Sequence, residues 1–192
     1  MTSKQPTKTT LLKALYAHYP TCKSLPIDSL DASRIVYGEG NPDAEIMLIG
    51  EAPGLKEDQL GKPFVGRSGQ LLTKTLQSVG IQRENIFITN VVKCRPPNNR
   101  TPTRKEILAY KQLLLIPEIT IIQPKIIITL GSTALKALID DNKQEITKMR
   151  GTLHTFNGIP LIPTYHPAYI LRNPKELETL RNDIAFAVSL LK

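Results

Sequence analysis

"MLIGEAPGLKEDQLGKPFVGRSGQ", residues 47–70, joins the end of an apolar run to a glycine-rich segment of mixed charge. The run starts at residue 44, is rich in branched side chains and does not alternate, which is typical of a strand buried on both faces. A turn after such a strand needs one or two glycines. The glutamate, the lone phenylalanine and the further glycines favour a binding site, the alternative being a tight turn with a solvated glutamate.

Similar apolar runs recur along the chain, and segments of helical periodicity separate them. Alternation of this kind predicts an α/β class fold, a three-layer α/β/α sandwich with a mostly parallel sheet, whose ligands bind outside the carboxyl ends of the strands. The loops "GEAPG", "TNVVKCRPPNNR", "LGSTA" and "YHPAYILRNP" would then meet at one edge. The runs are residues 44–50, 84–92, 124–131 and 159–166.

Local signals place several helix ends. Gly80 stands where a helix over 69–80 would end, and Thr103 and Glu106 have the spacing of a capping box. Pro117 is expected to kink or break a long helix over 103–123, and Pro174 fits the first position of a C-terminal helix that starts at Asn173. Further helical patterns cover residues 10–18 and 132–141.

Composition narrows the class of protein. The chain has 192 residues and a formal net charge of +8, which favours a polyanionic partner, nucleic acid being the commonest, over simple solubility. No apolar run is long enough to span a bilayer, and the N-terminus lacks a secretory pattern, so we expect a cytoplasmic protein. Two cysteines far apart in sequence, Cys22 and Cys94, predict reduced thiols.

No linker divides the chain, so we expect a single domain overall and a monomer. In this interpretation residues 1–33 form an N-terminal helix and an irregular segment that pack on a core formed by residues 34–192.

The segment after the first apolar run carries candidate site residues. Glu51 lies within "GEAPG", where exposed backbone N–H groups can hold an oxygen. Phe64 lies in a polar, glycine-rich loop, which favours a presented ring able to stack on a nucleobase rather than a core side chain. Lys62, Arg67 and Ser68 flank it, and the two cations are within reach of phosphates.

The loop "TNVVKCRPPNNR" contains Asn90, which lies inside the apolar run 84–92. A buried amide must be hydrogen-bonded, and it offers one donor and one acceptor to a base edge or to nearby backbone. Lys93, Arg95 and Arg100 follow on a proline-stiffened loop and are candidate contacts to DNA.

In the last loop, His166 ends the fourth apolar run, and its imidazole is suited to donate to a developing anion. His18 and His154 lack such a setting. Tyr169, Ile170 and Leu171 form an apolar tip beside Arg172, which suits either a wedge driven into a base stack or ordinary packing under the C-terminal helix.

Together these motifs resemble the family 4 (type-4) uracil-DNA glycosylases of bacteria and archaea. The resemblance covers roughly residues 34–190 and rests on "GEAPGLKEDQLGKPFVGRSGQLL", "ITNVVKCRPPNNRTPT", "LGSTALKALI", "MRG" and "YHPAYILRNP" in the family's order. It implies a four-stranded parallel sheet between helices and monofunctional excision of uracil from DNA at the start of base-excision repair.

The resemblance also implies roles for matching positions. The backbone at Glu51 and Ala52 would bind the O2 side of uracil, and Glu51 would position or activate water. Phe64 would stack on the flipped base, Asn90 would bind its N3 and O4, and His166 would stabilise charge at O2. The tip with Tyr169, Leu171 and Arg172 would fill the gap left in the duplex.

One departure concerns the family's four-iron, four-sulfur cluster, which needs four cysteine ligands. Cys94 matches one ligand position, Tyr110 replaces another, and the N-terminal pair would fall near Lys23 and Pro26, where Cys22 has no partner. We therefore expect no cluster and no other cofactor or metal. Apolar packing of Leu25, Ile27, Leu30 and Tyr110 is the expected substitute.

Of two alternative functions, one stays open at this point and the other is excluded. A catalytically weak or inactive DNA-binding or scaffold protein on the same fold is favoured by the missing ligands and opposed by the presence of the expected site side chains. A nucleotide phosphate loop is excluded because neither glycine-rich phosphate motif is present. No further partner is identified.

Overall fold

A computed structural model describes residues 5–24, 34–139 and 145–191 of the chain. At its centre is a mixed sheet with the strand order β1-β3-β2-β4-β6-β5. The strands are β1 (Glu39–Gly40), β2 (Ile46–Gly50), β3 (Phe87–Asn90), β4 (Ile126–Leu130), β5 (His154–Phe156) and β6 (Ile159–Thr164).

The central strands β3, β2, β4 and β6 pair in parallel, as the sequence predicts. The outer strands β1 and β5 pair antiparallel with their neighbours and were not predicted. Both are too short to show a periodic pattern. The turn between β5 and β6 has Asn157 and Gly158 at positive φ, which is the usual chemistry of a tight hairpin.

Helices cover both faces of the sheet. Alternate strand residues point to opposite sides: Met47 and Ile49 face one apolar cluster, and Ile46 and Leu48 face the other. The helices are α1 (Lys8–Ala17), α2 (Leu55–Leu60), α3 (Arg67–Ser78), α4 (Arg104–Tyr110), α5 (Ile116–Ile122), α6 (Ser132–Ile139), α7 (Ile146–Met149), α8 (Pro167–Arg172) and α9 (Leu177–Ser189).

The long helical segment after residue 103 has the start and the interruption that its sequence predicts. Thr103 and Glu106 form the predicted capping box. A widened π turn, Lys111–Leu115, joins α4 to α5, whose first turn contains Pro117. Proline has no N–H to donate four residues back, so the helix changes its hydrogen-bond pattern next to it instead of breaking.

Other helix ends differ slightly from the prediction. Helix α3 runs from Arg67 to Ser78, and Gly80 follows it at φ +82° with its N–H donating to the carbonyl of Gln77. At the C-terminus, Pro174 starts a short 3₁₀ turn, Pro174–Glu176, and α9 follows it. Helix α1 begins earlier than expected because Thr7 caps it.

The expectation of two reduced thiols is wrong for this structure. Cys22 and Cys94, 72 residues apart, form a disulfide with a Cα–Cα distance of 6.0 Å. Their separation in sequence hides the contact. The loop after β3 runs antiparallel to the segment at Ile35 and meets the 3₁₀ turn Cys22–Ser24, so the two sulfur atoms are neighbours.

The residues at this position do not fit an iron–sulfur cluster. The chain has only two cysteines, and both are used in the disulfide. Tyr110 is fully buried in the same apolar cluster and its hydroxyl has no hydrogen-bond partner among the described residues. Burial raises the pKa of this phenol, so it stays protonated. Leu25, Ile27 and Leu30, expected to pack here, lie outside the described residues.

Among the described residues, no helix is both long enough and apolar enough to cross a membrane.

Candidate active site

The loops after β2, β3 and β6 meet at one edge of the sheet and enclose a cavity of about 190 Å³. The α/β topology places the carboxyl ends of the parallel strands together, so residues far apart in sequence share this space. Its lining includes every expected base-binding or catalytic side chain: Glu51, Ala52, Phe64, Asn90 and His166.

Gly50 gives two of these side chains the room to approach each other. A Cβ atom there would lie 2.4 Å from Asn90 Oδ1 and 2.4 Å from Phe64 Cζ. Both distances are far below van der Waals contact. The strand must therefore end in glycine for the amide and the ring to share one cavity.

Asn90 is buried, with 2% of its surface exposed, and pairs with Gly50 in the sheet register. Its side-chain oxygen has no hydrogen-bond partner among the residues that the structure describes. A buried acceptor of this kind costs about 1–3 kcal/mol unless a ligand satisfies it. The amide therefore presents an open acceptor to whatever enters the cavity.

Lys93 was predicted to contact DNA, and the structure contradicts this. It is fully buried and forms an ion pair with Glu118 at 2.6 Å. Its ammonium also donates to the Asn90 carbonyl at 2.7 Å and to the Thr89 hydroxyl. Burial lowers the pKa of Lys93, which the carboxylate of Glu118 opposes. Lys93 thus holds the backbone of Asn90 through a hydrogen bond to its carbonyl oxygen.

Phe64 was expected to present an exposed ring, but only 6% of its surface is exposed. The ring forms part of the wall of the cavity, and its centroid is 5.7 Å from that of His166. Its backbone has φ +51°, which is uncommon for a residue with a side chain. The ring is therefore held in the site rather than displayed on the surface.

Glu51 is half-buried and accepts a hydrogen bond of 2.5 Å from the hydroxyl of Thr133. Thr133 lies in the first turn of α6, directly after β4. The sequence motif "LGSTA" pointed to this edge of the sheet but not to Thr133. This hydrogen bond holds one carboxylate oxygen of Glu51 and so defines the orientation of the whole carboxylate.

His166 caps helix α8, and its Nδ1 accepts the N–H of Ala168 at 3.1 Å. In the neutral ring, this bond assigns the proton to Nε2. Burial, and to a smaller extent the charge of Arg172, lower the pKa of His166 to about 4, a shift that the charge of Glu57 opposes. The ring is therefore a neutral donor near pH 7.

The sequence reasoning missed Glu57, which also lines the cavity. This carboxylate is buried within α2 and accepts the N–H groups of Val65 and Gly66. A charged residue in the first turn of a helix is usually interpreted as a dipole partner, so its position in sequence gave no specific signal.

The remaining predicted DNA contacts lie around the cavity. Lys62 and Arg67 are exposed, and Ser68 and Arg100 line the cavity itself. Lys62 pairs with Glu39 at 3.2 Å, Arg95 donates to Asn99, and Arg100 pairs with Glu106. The Arg100 guanidinium lowers the pKa of Glu106 to about 2.

The apolar tip is smaller than predicted. Ile170 is 2% exposed and packs in the core below α8, because that position faces α3 and α9 rather than solvent. Tyr169 is half-buried and its ring lies 4.8 Å from that of Tyr165. Leu171 and Arg172 are exposed, so they form the part of the tip that projects.

The fold and this cavity define a class of protein, which comparison with known proteins identifies. A model of the uracil DNA glycosylase superfamily matches residues 37–188. The chain therefore belongs to the uracil-DNA glycosylase superfamily.

Within the superfamily, the chain is similar to type-4 uracil-DNA glycosylases. It is 46% identical over 189 residues to that of Thermotoga maritima, a match that covers 97% of each chain. It is 49% identical over 156 residues to that of Saccharolobus solfataricus, covering 77% of this chain and 72% of the relative. The type-4 resemblance read from the motifs is thereby confirmed.

Proposed function

We propose that the protein is a monofunctional uracil-DNA glycosylase, which hydrolyses the N-glycosidic bond of deoxyuridine in DNA and so begins base-excision repair. The observation that carries this proposal is the buried oxygen of Asn90, which has no partner among the described residues and lies in a cavity with Phe64 and His166. An amide in that state selects for a ligand with a matching donor.

Asn90 accounts for the choice of base. Uracil presents an N3–H donor next to the O4 acceptor, and Asn90 supplies an acceptor and a donor in the complementary order. Cytosine presents an acceptor and an amine at the same two positions, so both contacts would become repulsive. Since Lys93 holds the Asn90 backbone, the amide meets the base at a fixed position.

Phe64 supports a base that has left the duplex. A base inside the helix cannot reach the cavity, so the nucleotide must be extruded. Stacking on an aromatic face is worth about 1–3 kcal/mol per base, which offsets part of the cost of unstacking.

His166 and Glu51 divide the chemistry between them. The bond from N1 to C1′ breaks with its electron pair moving to uracil, and the sugar acquires oxocarbenium character. The neutral imidazole of His166 donates from Nε2 to O2, where negative charge develops. Glu51, oriented by Thr133, positions the water that adds to C1′ and accepts its proton.

The basic residues around the cavity bind the phosphates. Lys62, Arg67, Arg95 and Arg100 contact the backbone of the DNA, while Leu171 and Arg172 enter the duplex where the nucleotide has left. A net charge of +8 supports a substantial electrostatic component, so affinity for DNA falls as salt rises.

Single-turnover release of uracil from a labelled oligonucleotide, followed by alkaline cleavage, tests the proposal. We compare the wild type with His166→Ala, Asn90→Ala and the control Glu45→Gln, at a residue that directly precedes the amino end of β2 and pairs with Lys125. Loss of one transition-state donor is expected to slow release by about 100- to 1000-fold. Both site variants are expected to keep their affinity for DNA.

A second candidate, a DNA-binding or scaffold protein, is favoured only by the incomplete set of cluster ligands at Cys22, Cys94 and Tyr110. If the wild type binds DNA but releases no uracil, this second function replaces the first.

A further inference from the structure

The backbone at Phe64 is held in a conformation that it would not adopt alone. Its φ of +51° lies in the left-handed region, which side chains with a Cβ disfavour. Such residues persist only where surrounding contacts hold them, and they cluster at functional sites. The contacts on each side of Phe64 therefore decide where its ring lies.

On the C-terminal side, the contact is the carboxylate of Glu57. Its Oε1 accepts the N–H of Val65 at 2.9 Å and that of Gly66 at 2.7 Å. Glu57 is 8% exposed, so these charge-assisted bonds are shielded from water. A Cβ at Gly54 would lie 2.8 Å from Glu57 Oε2, so only a glycine at position 54 leaves room for the carboxylate.

On the N-terminal side, the contact is Arg83. Its guanidinium donates to the carbonyl of Pro63 at 2.7 Å and to the hydroxyl of Thr73 at 3.2 Å. A third constraint lies beneath the residue, since a Cβ at Gly69 would fall 2.0 Å from the Phe64 carbonyl oxygen. Helix α3 thus packs directly on the strained peptide.

We propose that Glu57 is a positioning residue for the glycosylase reaction, which acts with Arg83 to fix the Phe64 ring in the orientation that stacks on the extruded uracil. This inference rests on the proposed function. Glu57 acts through Phe64 and not on the reacting atoms, because its carboxylate oxygen binds the two peptide groups that follow the ring.

A double-mutant cycle separates this role from a general loss of stability. Glu57→Ala is expected to slow single-turnover release on the order of 100-fold, because small misplacements of a binding group have effects of that size. In a Phe64→Ala background the same substitution is expected to change the rate by less than about 2-fold, since the ring that it positions is gone. Thermal unfolding of each variant shows which of them are folded.

Glu57→Gln is the conservative variant. Its amide oxygen still accepts the two N–H groups, so its rate is expected to lie much closer to the wild type than that of Glu57→Ala. If Glu57→Gln is as slow as Glu57→Ala, the negative charge itself serves the reaction, and the positioning role is overturned. If Glu57→Ala does not fold, Arg83→Met in the wild-type and Phe64→Ala backgrounds provides an equivalent double-mutant cycle.

A binding readout keeps this inference distinct from the proposed function. DNA containing 2′-fluoro-2′-deoxyuridine resists excision, and the matched strand with thymidine is the control. We expect the wild type to prefer the fluorinated strand and Glu57→Ala to lose that preference, even if the wild type releases no uracil. Equal preference in both proteins would overturn the positioning role, and no preference in the wild type would overturn both proposals.

Discussion

Gly50 shows how a residue without a side chain can shape an active site. Not every glycine of the segment 47–70 serves a turn: Gly50 is the last residue of β2 with an ordinary strand backbone, and what matters there is the absence of a Cβ. The site residues Asn90 and Phe64 occupy the space that a side chain would take.

Gly50→Ala is therefore expected to damage activity more than stability. The new methyl group must displace the amide or the ring, which we expect to slow uracil release by about 100-fold. The cost of overpacking in stability is about 1–3 kcal/mol. Single-turnover kinetics and urea unfolding measure the two effects.

Gly158→Ala is the matched control for this prediction. It places a Cβ at φ +82° in open space, at the opposite end of β6 from the site. It should lose stability without losing activity. Equal rates for Gly50→Ala and Gly158→Ala would contradict the steric argument.

The lowered pKa of His166 leads to a second prediction for a single residue. With a pKa of about 4 in the folded state and about 6.5 in the unfolded state, the unfolded chain binds more protons between these values. The unfolding free energy of the wild type should therefore fall, relative to His166→Gln, as pH drops from 6.5 to 4. Above pH 6.5 the difference should be constant.

Thermal unfolding of both proteins across this range, with an NMR titration of the His166 ring in the wild type, checks the prediction. A ring that titrates near 6.5 would contradict it, and would also make His166 partly cationic at the start of the reaction.

Several site residues could be predicted from sequence because each lies at or just after the carboxyl end of an apolar strand: Glu51, Asn90 and His166 are of this kind. Lys93 was misassigned because its neighbours in sequence are basic and proline-rich. Its burial depends on Glu118, which lies 25 residues further along the chain. Glu57 was missed for a similar reason, since its partners Val65 and Gly66 belong to a loop whose path the sequence does not define.

At the scale of elements, the ion pair of Lys93 and Glu118 joins three parts of the fold. The Glu118 carboxylate on α5 accepts bonds from Thr89 at 2.9 Å and from Tyr16 on α1 at 2.8 Å. The Lys93 ammonium, paired with Glu118, also donates a hydrogen bond to the carbonyl of Asn90. One carboxylate thus connects the N-terminal helix α1 to strand β3, which carries Asn90.

Lys93→Met is expected to destabilise the protein by about 3–5 kcal/mol, because it leaves the Glu118 charge buried without its ion-pair partner. Lys93→Met combined with Glu118→Gln removes both charges and should recover part of this loss. Urea unfolding of the two single variants and the double variant measures the coupling. Additive losses would show that the two side chains do not act as a pair.

The helix pattern was predicted well where its signals are local. The capping box at Thr103, the disturbance near Pro117 and the glycine after α3 all depend on neighbours within one turn. The π form of the segment Lys111–Leu115 was not predictable, since proline specifies only that a hydrogen bond is lost and not which hydrogen-bond pattern replaces it.

At the scale of the whole molecule, the parallel centre of the sheet followed from its apolar runs, whereas the edges did not. Strands β1 and β5 are held by pairing with β3 and β6, and their own sequences are too short and polar to indicate strands. The uracil-DNA glycosylase family was recognised from the motifs, and the comparisons confirm it. The disulfide was missed because pairing of two cysteines depends on tertiary contact.

The disulfide is expected to contribute to stability across the whole molecule. Cross-linking positions so far apart restricts the unfolded chain, which is typically worth about 2–4 kcal/mol. The double variant Cys22→Ser, Cys94→Ser should therefore unfold at lower urea concentration than the oxidised wild type. The reduced wild type should behave like the variant, and an unchanged midpoint after reduction would contradict a structural role.

The same bond also determines the connectivity of the chain. Residues 22–94 form a closed covalent ring that contains β2, α2, α3 and β3, and with them Glu51, Phe64 and Asn90, whereas His166 lies outside it. A protease that cuts once within this ring leaves a single molecule of unchanged mass apart from one added water. Two fragments separate only after reduction, so the cavity residues Glu51, Phe64 and Asn90 stay tethered to the rest of the protein after a nick.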